Sequence, residues 1–298
     1  MTRPVFEKVF SYLLSLGLAC AILVLGLTLL YYGPQSTNSS TAQETEWPAP
    51  FVLDESLLTA RAAVVYEVLT GRMLYAKNAE EILPLASLTK LIAAQAVLAR
   101  QDPTLHVSIT AEAVAPEGDW GFWVGEEWPI DDLIRFALAA SSNDAITAAA
   151  IGALGDGRVA AINQELERLG LSSTHVFNST GLDVSESQAG GYGSAHDVAL
   201  LTAIFLKEHP TFFEATAAPS VTITQEGRTL VATSTAIPLL DMPGIIGAKT
   251  GYTDLAGGNL VAAFDLELGA PVVIAVLGST REGRFADVKL LLEAVRKK

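Results

Sequence analysis

Ser87 and Lys90 stand three residues apart in the stretch PLASLTKLIAAQAVLA, residues 84–99. Pro84 and Ser87 read as a helix start. Leu88, Leu91, Ile92, Gln95, Leu98 and Ala99 follow a 3.6-residue period, which predicts a helix with one apolar face. On such a helix Ser87 and Lys90 lie one turn apart on the same side. A serine hydroxyl is a weak nucleophile until a neighbour takes its proton. A lysine can do so only when burial or nearby positive charge has made its amine neutral. The pair by itself is common, and a lone Ser87 would serve equally as a helix cap. Two more short motifs follow. Ser141-Ser142-Asn143 begins 54 residues after Ser87, and Lys249-Thr250-Gly251 begins 106 residues after Asn143. Alone, one reads as a cap and the other as a strand-edge charge. In this order, in helix, loop and strand settings respectively, and behind an apolar export segment, the three point to a serine acyl-transfer centre.

The elements that must position these residues can be read in order. Residues 62–66 and 73–76 are β-rich and flank the turn pair Thr70-Gly71, a hairpin signal. After the Ser87 helix come a short strand at 106–110 and an aromatic loop, EGDWGFWVGEEW, at 117–128. That loop could form the lip of a cleft, or its aromatics could pin it to the core. Residues 129–139 form a helix with Pro129 in its first turn and Asp131 and Asp132 at its positive dipole end. Helical pattern resumes at 144–154 and again at 159–169, before a Ser/Thr/Gly-rich loop at 172–193. Ser194-Ala195-His196-Asp197 resembles a capping box for a helix reaching Lys207. Short β runs then occupy 221–224, 229–233, 247–252, 259–266 and 271–277, and residues 284–298 close as a helix. Strands, helices, strands, helix: this order predicts an α+β domain whose antiparallel sheet collects strands from both ends of the chain.

Residues 10–32 contain no charged side chain, and at about 1.5 Å per residue they span roughly 34 Å, enough to cross a hydrocarbon core. Arg3 and Lys8 precede the run and no Lys or Arg follows until Arg61, which orients the N-terminus to the cytoplasm and the rest outside. The expected organisation is a cytoplasmic tail at 1–9, a transmembrane anchor at 10–32, a polar linker at 33–50 and a catalytic domain at 51–298. A net charge of −14 argues against nucleic acid as a partner. The single cysteine, Cys20, lies in the apolar run, so the outer domain has no disulfide or thiolate chemistry. His106, His175, His196 and His209 show no metal-ligand spacing. No metal and no cofactor are expected.

The three motifs, together with SSNDA, LGLSSTHVFNSTGLD, SAHDVALL, GAKTGYTDLAGGNLV and the GR of EGRFAD, resemble the low-molecular-mass penicillin-binding proteins. These are serine-type D-alanyl-D-alanine carboxypeptidases of the penicillin-recognising acyltransferases, and the resemblance covers about residues 62–295. It implies a β-lactamase/transpeptidase-like fold, with an antiparallel sheet flanked by helices plus an all-helical subdomain. The implied substrate is a peptidoglycan stem peptide ending in D-Ala-D-Ala, with β-lactams as covalent inhibitors and a bacterial cell membrane as the location. It further implies that Ser87 attacks the carbonyl between the D-alanines. Lys90, kept neutral by Lys249 and desolvation, takes the proton. Ser141 relays a proton to the leaving D-alanine, and Asn143 holds Lys90 and the substrate amide. Lys249 and Thr250 receive the terminal carboxylate, with Arg284 as a second cation. Gly251 lets the substrate lie against the strand, and the backbone N–H groups of Ser87 and Tyr252 form an oxyanion hole.

The chain departs from that family in places. Only 47 residues follow Gly251, too few for the C-terminal β-domain that many members carry, so the expected anchor moves to the N-terminus. Ser142 replaces a common Gly, and Tyr252 stands where some members have His. A class A β-lactamase would show Ser-Asp-Asn and a Glu-x-x-Leu-Asn loop. Here the loop 178–193 offers only Glu186, without that pattern. Endopeptidase cleavage of peptidoglycan crosslinks needs the same centre with a roomier leaving-group side. A non-enzymatic penicillin or peptidoglycan sensor would need a cytoplasmic signalling portion, for which the nine residues before Phe10 leave little room.

Overall fold

A computed structural model describes residues 51–100, 105–118, 120–267 and 269–297. The expected anchor at 10–32 and linker at 33–50 lie outside the described residues. The chain enters through Ala62–Glu67 (β1) and Met73–Lys77 (β2), the hairpin expected around Thr70-Gly71. Leu83–Pro84 (β3) leads into a 3-10 turn at Ala86–Leu88 and then the helix Thr89–Leu98 (α1). His106–Ser108 (β4) pairs with Glu127–Pro129 (β5), and the aromatic loop lies between them. Three helices follow: Ile130–Ala140 (α2), Asn143–Leu154 (α3) and Arg158–Arg168 (α4). The loop expected at 172–193 contains two short strands, His175–Val176 (β6) and Gly191–Gly193 (β7), and β7 also pairs with β3. Ala195–Glu208 (α5) and a short Pro210–Glu214 (α6) lead to the hairpin Ser220–Gln225 (β8) and Arg228–Thr233 (β9). Ile245–Thr253 (β10), Gly257–Asp265 (β11), Pro271–Ser279 (β12) and Gly283–Arg296 (α7) complete the fold.

The main sheet has the order β10-β11-β12-β1-β2, so strands from the two ends of the domain meet at the β12–β1 junction. Each neighbouring pair is antiparallel. Side chains alternate between two cores, as the two-residue strand period requires. Ala62, Val64 and Tyr66 of β1 face the helical body, while Ala63 and Val65 face the opposite layer with Leu291, Leu292 and Val295 of α7. Both faces are covered, so β1 is buried throughout and reads as a continuous apolar run.

The β8–β9 hairpin stands apart from this sheet. Its alternating pattern, with Val221 and Ile223 buried between exposed Ser220, Thr222 and Thr224, suits a strand with one wet face. Its turn is Glu226-Gly227, both at positive φ, the geometry a tight hairpin needs. Helix α1 also differs from its expected single apolar face. It is buried from Thr89 to Val97, because α3, α4 and the sheet-facing helices surround it. Ser194 does cap α5, accepting from the Asp197 amide at 3.0 Å, but the Asp197 carboxylate turns to the Ser173 amide and the Thr174 hydroxyl and ties down the preceding turn.

One buried carboxylate joins the two ends of the domain. Asp287 of α7 accepts from the amides of Thr59 and Ala60 (both 2.9 Å), the Thr59 hydroxyl (2.8 Å) and the Ser279 hydroxyl (2.7 Å). Replacing Asp287 by Asn turns one acceptor into a donor facing donors. We expect a loss of about 2–3 kcal/mol in folding stability, read from denaturant unfolding. An unchanged midpoint would show that these bonds contribute nothing net.

Candidate active site

The residue before the nucleophile candidate is bent out of shape. Ala86 sits at φ 48, in the left-handed region that costs a non-glycine residue energy. Gly181 backs it: a Cβ there would stand 1.8 Å from the Ala86 carbonyl oxygen, and its own φ of 79 suits glycine. The bend starts a 3-10 turn that continues into α1, which sets Ser87 and Lys90 on one side. Lys90 Nζ donates to Ser87 Oγ at 2.8 Å and to the Thr180 carbonyl at 2.8 Å. The amine is fully buried, and burial brings it from the ordinary lysine value of 10.5 to about 7.

The turn that supplies Thr180 is organised by Asn178. Its Oδ1 accepts from the amides of Thr180 and Gly181 and from the Thr180 hydroxyl, and its Nδ2 donates to the Leu182 carbonyl. The sequence reading assigned no role to Asn178, Thr180 or Gly181. Their backbone and local bonds carry the function, and residue types alone do not reveal that.

Ser141 ends α2 in the left-handed conformation, φ 63, while Ser142 opens α3 and caps it through the Ala145 amide. The motif is thus a helix junction and also presents a side chain. Lys249 Nζ, from β10, donates to Ser141 Oγ at 2.9 Å and to the Thr250 carbonyl at 2.8 Å. Its amine is fully buried and pushed well below the ordinary lysine range, first by burial, then by the charges of Lys90 and Arg284. Two ammonium groups this close, out of water, do not both keep their protons. Of the two causes expected for Lys90, Lys249 and desolvation, burial is the one that lowers it.

Strand β10 is an edge of the main sheet and runs past the nucleophile. A Cβ on Gly251 would lie 2.9 Å from the Leu85 carbonyl, 3.1 Å from the Ser87 nitrogen and 3.2 Å from the Ala86 Cβ. The reason for glycine here is therefore close approach to the Ser87 turn; the expectation had been room for a ligand's backbone. Thr250 Oγ1 donates to Thr235 Oγ1 at 2.7 Å, which brings in a threonine that no sequence signal marked.

Two expectations are met differently. Asn143 does not hold Lys90. Its Nδ2 donates to the Glu117 carbonyl at 2.5 Å, while the Trp120 amide donates to the neighbouring Asp144, and its Oδ1 is buried without a partner. Arg284 reaches the Gly251 carbonyl at 2.5 Å, so it braces the strand. Burial, then the Arg281 charge, lowers its pKa, with Glu282 opposing. Arg281 itself lies 3.9 Å over the Tyr252 ring, which is partly exposed.

Comparison with known proteins agrees with this geometry. The family described as D-alanyl-D-alanine carboxypeptidase matches residues 50–281, a range that holds all three motifs and ends just before Arg284. The D-alanyl-D-alanine carboxypeptidase DacF of Bacillus subtilis (strain 168) is 30% identical over 281 residues, covering 91% of this chain and 69% of the relative. Penicillin-binding protein D2 of Listeria monocytogenes, in its ampicillin-bound form, has a TM-score of 0.70 at 31% identity, over 81% of this chain and 98% of that one. The D-alanyl-D-alanine carboxypeptidase of Mycobacterium tuberculosis H37Rv gives 0.72 at 25% identity, over 82% and 93%. The expected penicillin-binding-protein fold is thereby met.

Burying Lys90 has a cost that can be measured. Its folded pKa lies below its unfolded one, so the unfolded chain alone binds a proton between about pH 7 and 10.5, and stability falls as pH drops through that window. Lys90→Met should therefore raise the unfolding midpoint at pH 7, with a gain that shrinks as pH approaches 10.5. A gain independent of pH would mean that the amine is not held neutral.

Proposed function

The chain belongs to the D-alanyl-D-alanine carboxypeptidase family, and on that footing we propose how its own residues perform the reaction. The 2.8 Å bond between Ser87 Oγ and a buried, easily neutralised Lys90 amine carries the reading. Ser87 Oγ attacks the carbonyl carbon of the penultimate D-alanine while its proton passes to Lys90 Nζ. The oxygen that gains charge lies against the backbone N–H groups of Ser87 and Tyr252. The bond to the terminal D-alanine breaks, and its nitrogen takes a proton through the Ser141 hydroxyl. The ester on Ser87 is then hydrolysed by water, with Lys90 again accepting the proton, and the trimmed stem peptide leaves.

The carboxylate of the terminal D-alanine is received by Lys249 and the Thr250 and Thr235 hydroxyls. Its arrival favours the charged form of Lys249 and, by like-charge repulsion, the neutral form of Lys90. Substrate thus sets the protonation state that the first step needs. Asn143 Oδ1, buried and unpartnered, is the acceptor for a substrate amide N–H. Arg284 acts through the strand, holding the Gly251 carbonyl. β-Lactams acylate the same Ser87. Glu186 is exposed at the tip of its loop, and no carboxylate is hydrogen-bonded to Ser87 or Lys90 among the described residues, which favours a long-lived acyl-enzyme over β-lactamase turnover. The apolar run at residues 10–32 fits a single-pass anchor with the domain 51–298 on the outer side of a bacterial membrane.

The test uses the full-length chain and a pentapeptide ending in D-Ala-D-Ala. Released D-alanine is expected from the native chain and none from Ser87→Ala. Full activity in that variant would remove Ser87 as nucleophile, and release of stem peptide from a crosslinked dimer alone would make the enzyme an endopeptidase. The acylation rate by a fluorescent penicillin should rise with pH through about 7, because the neutral Lys90 amine accumulates above its pKa. A rate falling over that range would mean that the protonated amine is the active form.

A further inference from the structure

The aromatic loop does two separate jobs. Trp128 is buried, Phe122 meets it edge-on at 5.6 Å and meets Phe136 of α2 at 5.5 Å, and Trp120 meets Phe136 at 6.1 Å. These rings pin the loop to the core. Trp123 is left outside, 68% exposed. It is nevertheless held in place. Glu126 Oε2 accepts from the Trp123 amide at 2.9 Å and from the Trp128 indole at 3.1 Å, and Glu126 Oε1 is ion-paired with Arg228 at 2.7 Å. The Arg228 guanidinium stacks 3.5 Å from the Trp123 ring centroid and also donates to the Gly121 carbonyl. An exposed tryptophan that is buttressed on one face by its own protein has its other side pre-oriented, which is what binding rewards.

Trp123 borders an open depression of about 400 Å³ rimmed by Glu126, Glu127, Gln225, Glu226 and Arg228. A large ring beside carboxylates and an amide suits a neutral, hydroxyl-rich ligand: the ring packs against C–H faces, and the polar side chains take O–H and N–H groups. The acidic rim opposes anionic lipid headgroups and nucleic acid. The depression is also linked to the catalytic cleft. Gly121 lies against Leu230 and Arg228 of β9, and Glu117, earlier in the same loop, receives the Asn143 amide. Strand β9 runs from Arg228 to Thr233, and Thr235, two residues further on, touches Thr250. The five steps of the strand, at about 3.3 Å each, cover roughly 17 Å. An extended five-residue stem peptide reaches about 17 Å, a comparable span.

We propose that Trp123 is a docking platform for the neutral glycan strand to which stem peptides are attached. This rests on the reading of the chain as a peptidoglycan carboxypeptidase. The platform raises the enzyme's preference for pentapeptide still carried on polymer over pentapeptide free in solution.

The experiment compares the full-length native chain with Trp123→Ala and Trp123→Phe. Binding of the N-acetylglucosamine tetramer, a neutral probe, is followed by isothermal titration calorimetry, and D-alanine release is followed on free pentapeptide and on glycan-linked pentapeptide. We expect Trp123→Ala to lose tetramer binding and to raise KM on the glycan-linked substrate roughly tenfold, with Trp123→Phe between the two. The kcat/KM on free pentapeptide should be unchanged. No difference on the glycan-linked substrate, or an equal loss on both substrates, would overturn the proposal. So would binding to phosphatidylglycerol vesicles that depends on Trp123 in place of tetramer binding. If the native chain releases no D-alanine from either substrate, the proposed reaction fails while tetramer binding still judges the platform.

Discussion

A lysine amine taken out of water between a hydroxyl and a carbonyl is the constraint on which the rest of this structure depends. Lys90 can accept a proton near neutral pH only if it is dry, and it is dry because α1 lies at the centre of the helical body with no wet face. A charged amine could not sit there at low cost, and a neutral one is satisfied by Ser87 Oγ and the Thr180 carbonyl. Several local oddities follow from this one requirement. Thr180 must offer a carbonyl inward, so Asn178 gathers the donors of its turn. Gly181 must pass against Ala86, so it has no side chain, and Ala86 is held at positive φ. The strain sits beside the reactive hydroxyl, where an over-determined backbone is used for positioning.

The cations in the cleft make sense against a chain of net charge −14. Distant surface carboxylates are screened by salt within about 8–10 Å. The buried amines of Lys90 and Lys249 are screened far less and feel each other directly. Such a site is electrostatically under-filled: it holds more positive groups than it can keep charged. In the proposed reaction an incoming carboxylate would relieve that, coupling its binding to the deprotonation of Lys90. The fold contributes the geometry through an edge strand. Because β10 has no neighbour on one side, Lys249, Thr250 and Gly251 can face the Ser87 turn and the α2–α3 junction together.

Much of this was legible in the sequence, for identifiable reasons. Strands β1 and β12 are near-continuous apolar runs, so their positions could be read closely, and their joining followed from strands at both ends of the domain. The three motifs were legible because the roles proposed for them, nucleophile, base and cation, are side-chain functions tied to residue type. The parts that escaped are of another kind. Thr180 acts through a carbonyl, and Thr235 through where a loop returns to the sheet. Asn143 shows the same limit from the other side: the family resemblance implied Lys90 as its partner, and its amide goes to the Glu117 carbonyl.

The aromatic loop carries this argument further. Sequence offered two readings of EGDWGFWVGEEW, a lip or a pin, and residue types could not choose because both need aromatics. The structure divides the loop between them by backbone direction. Phe122 and Trp128 point into the α2 core and Trp123, next to Phe122 in the chain, points away. Trp123 opens a turn closed by the Glu126 amide on its carbonyl, so the ring beside the anchored Phe122 is turned outward. That exposed ring would be a liability if it were merely left over. Glu126 and Arg228 instead spend three hydrogen bonds or ion pairs on keeping it fixed. A side chain restrained at that expense of rotamer freedom, in open solvent, is placed for contact with something the chain itself does not supply.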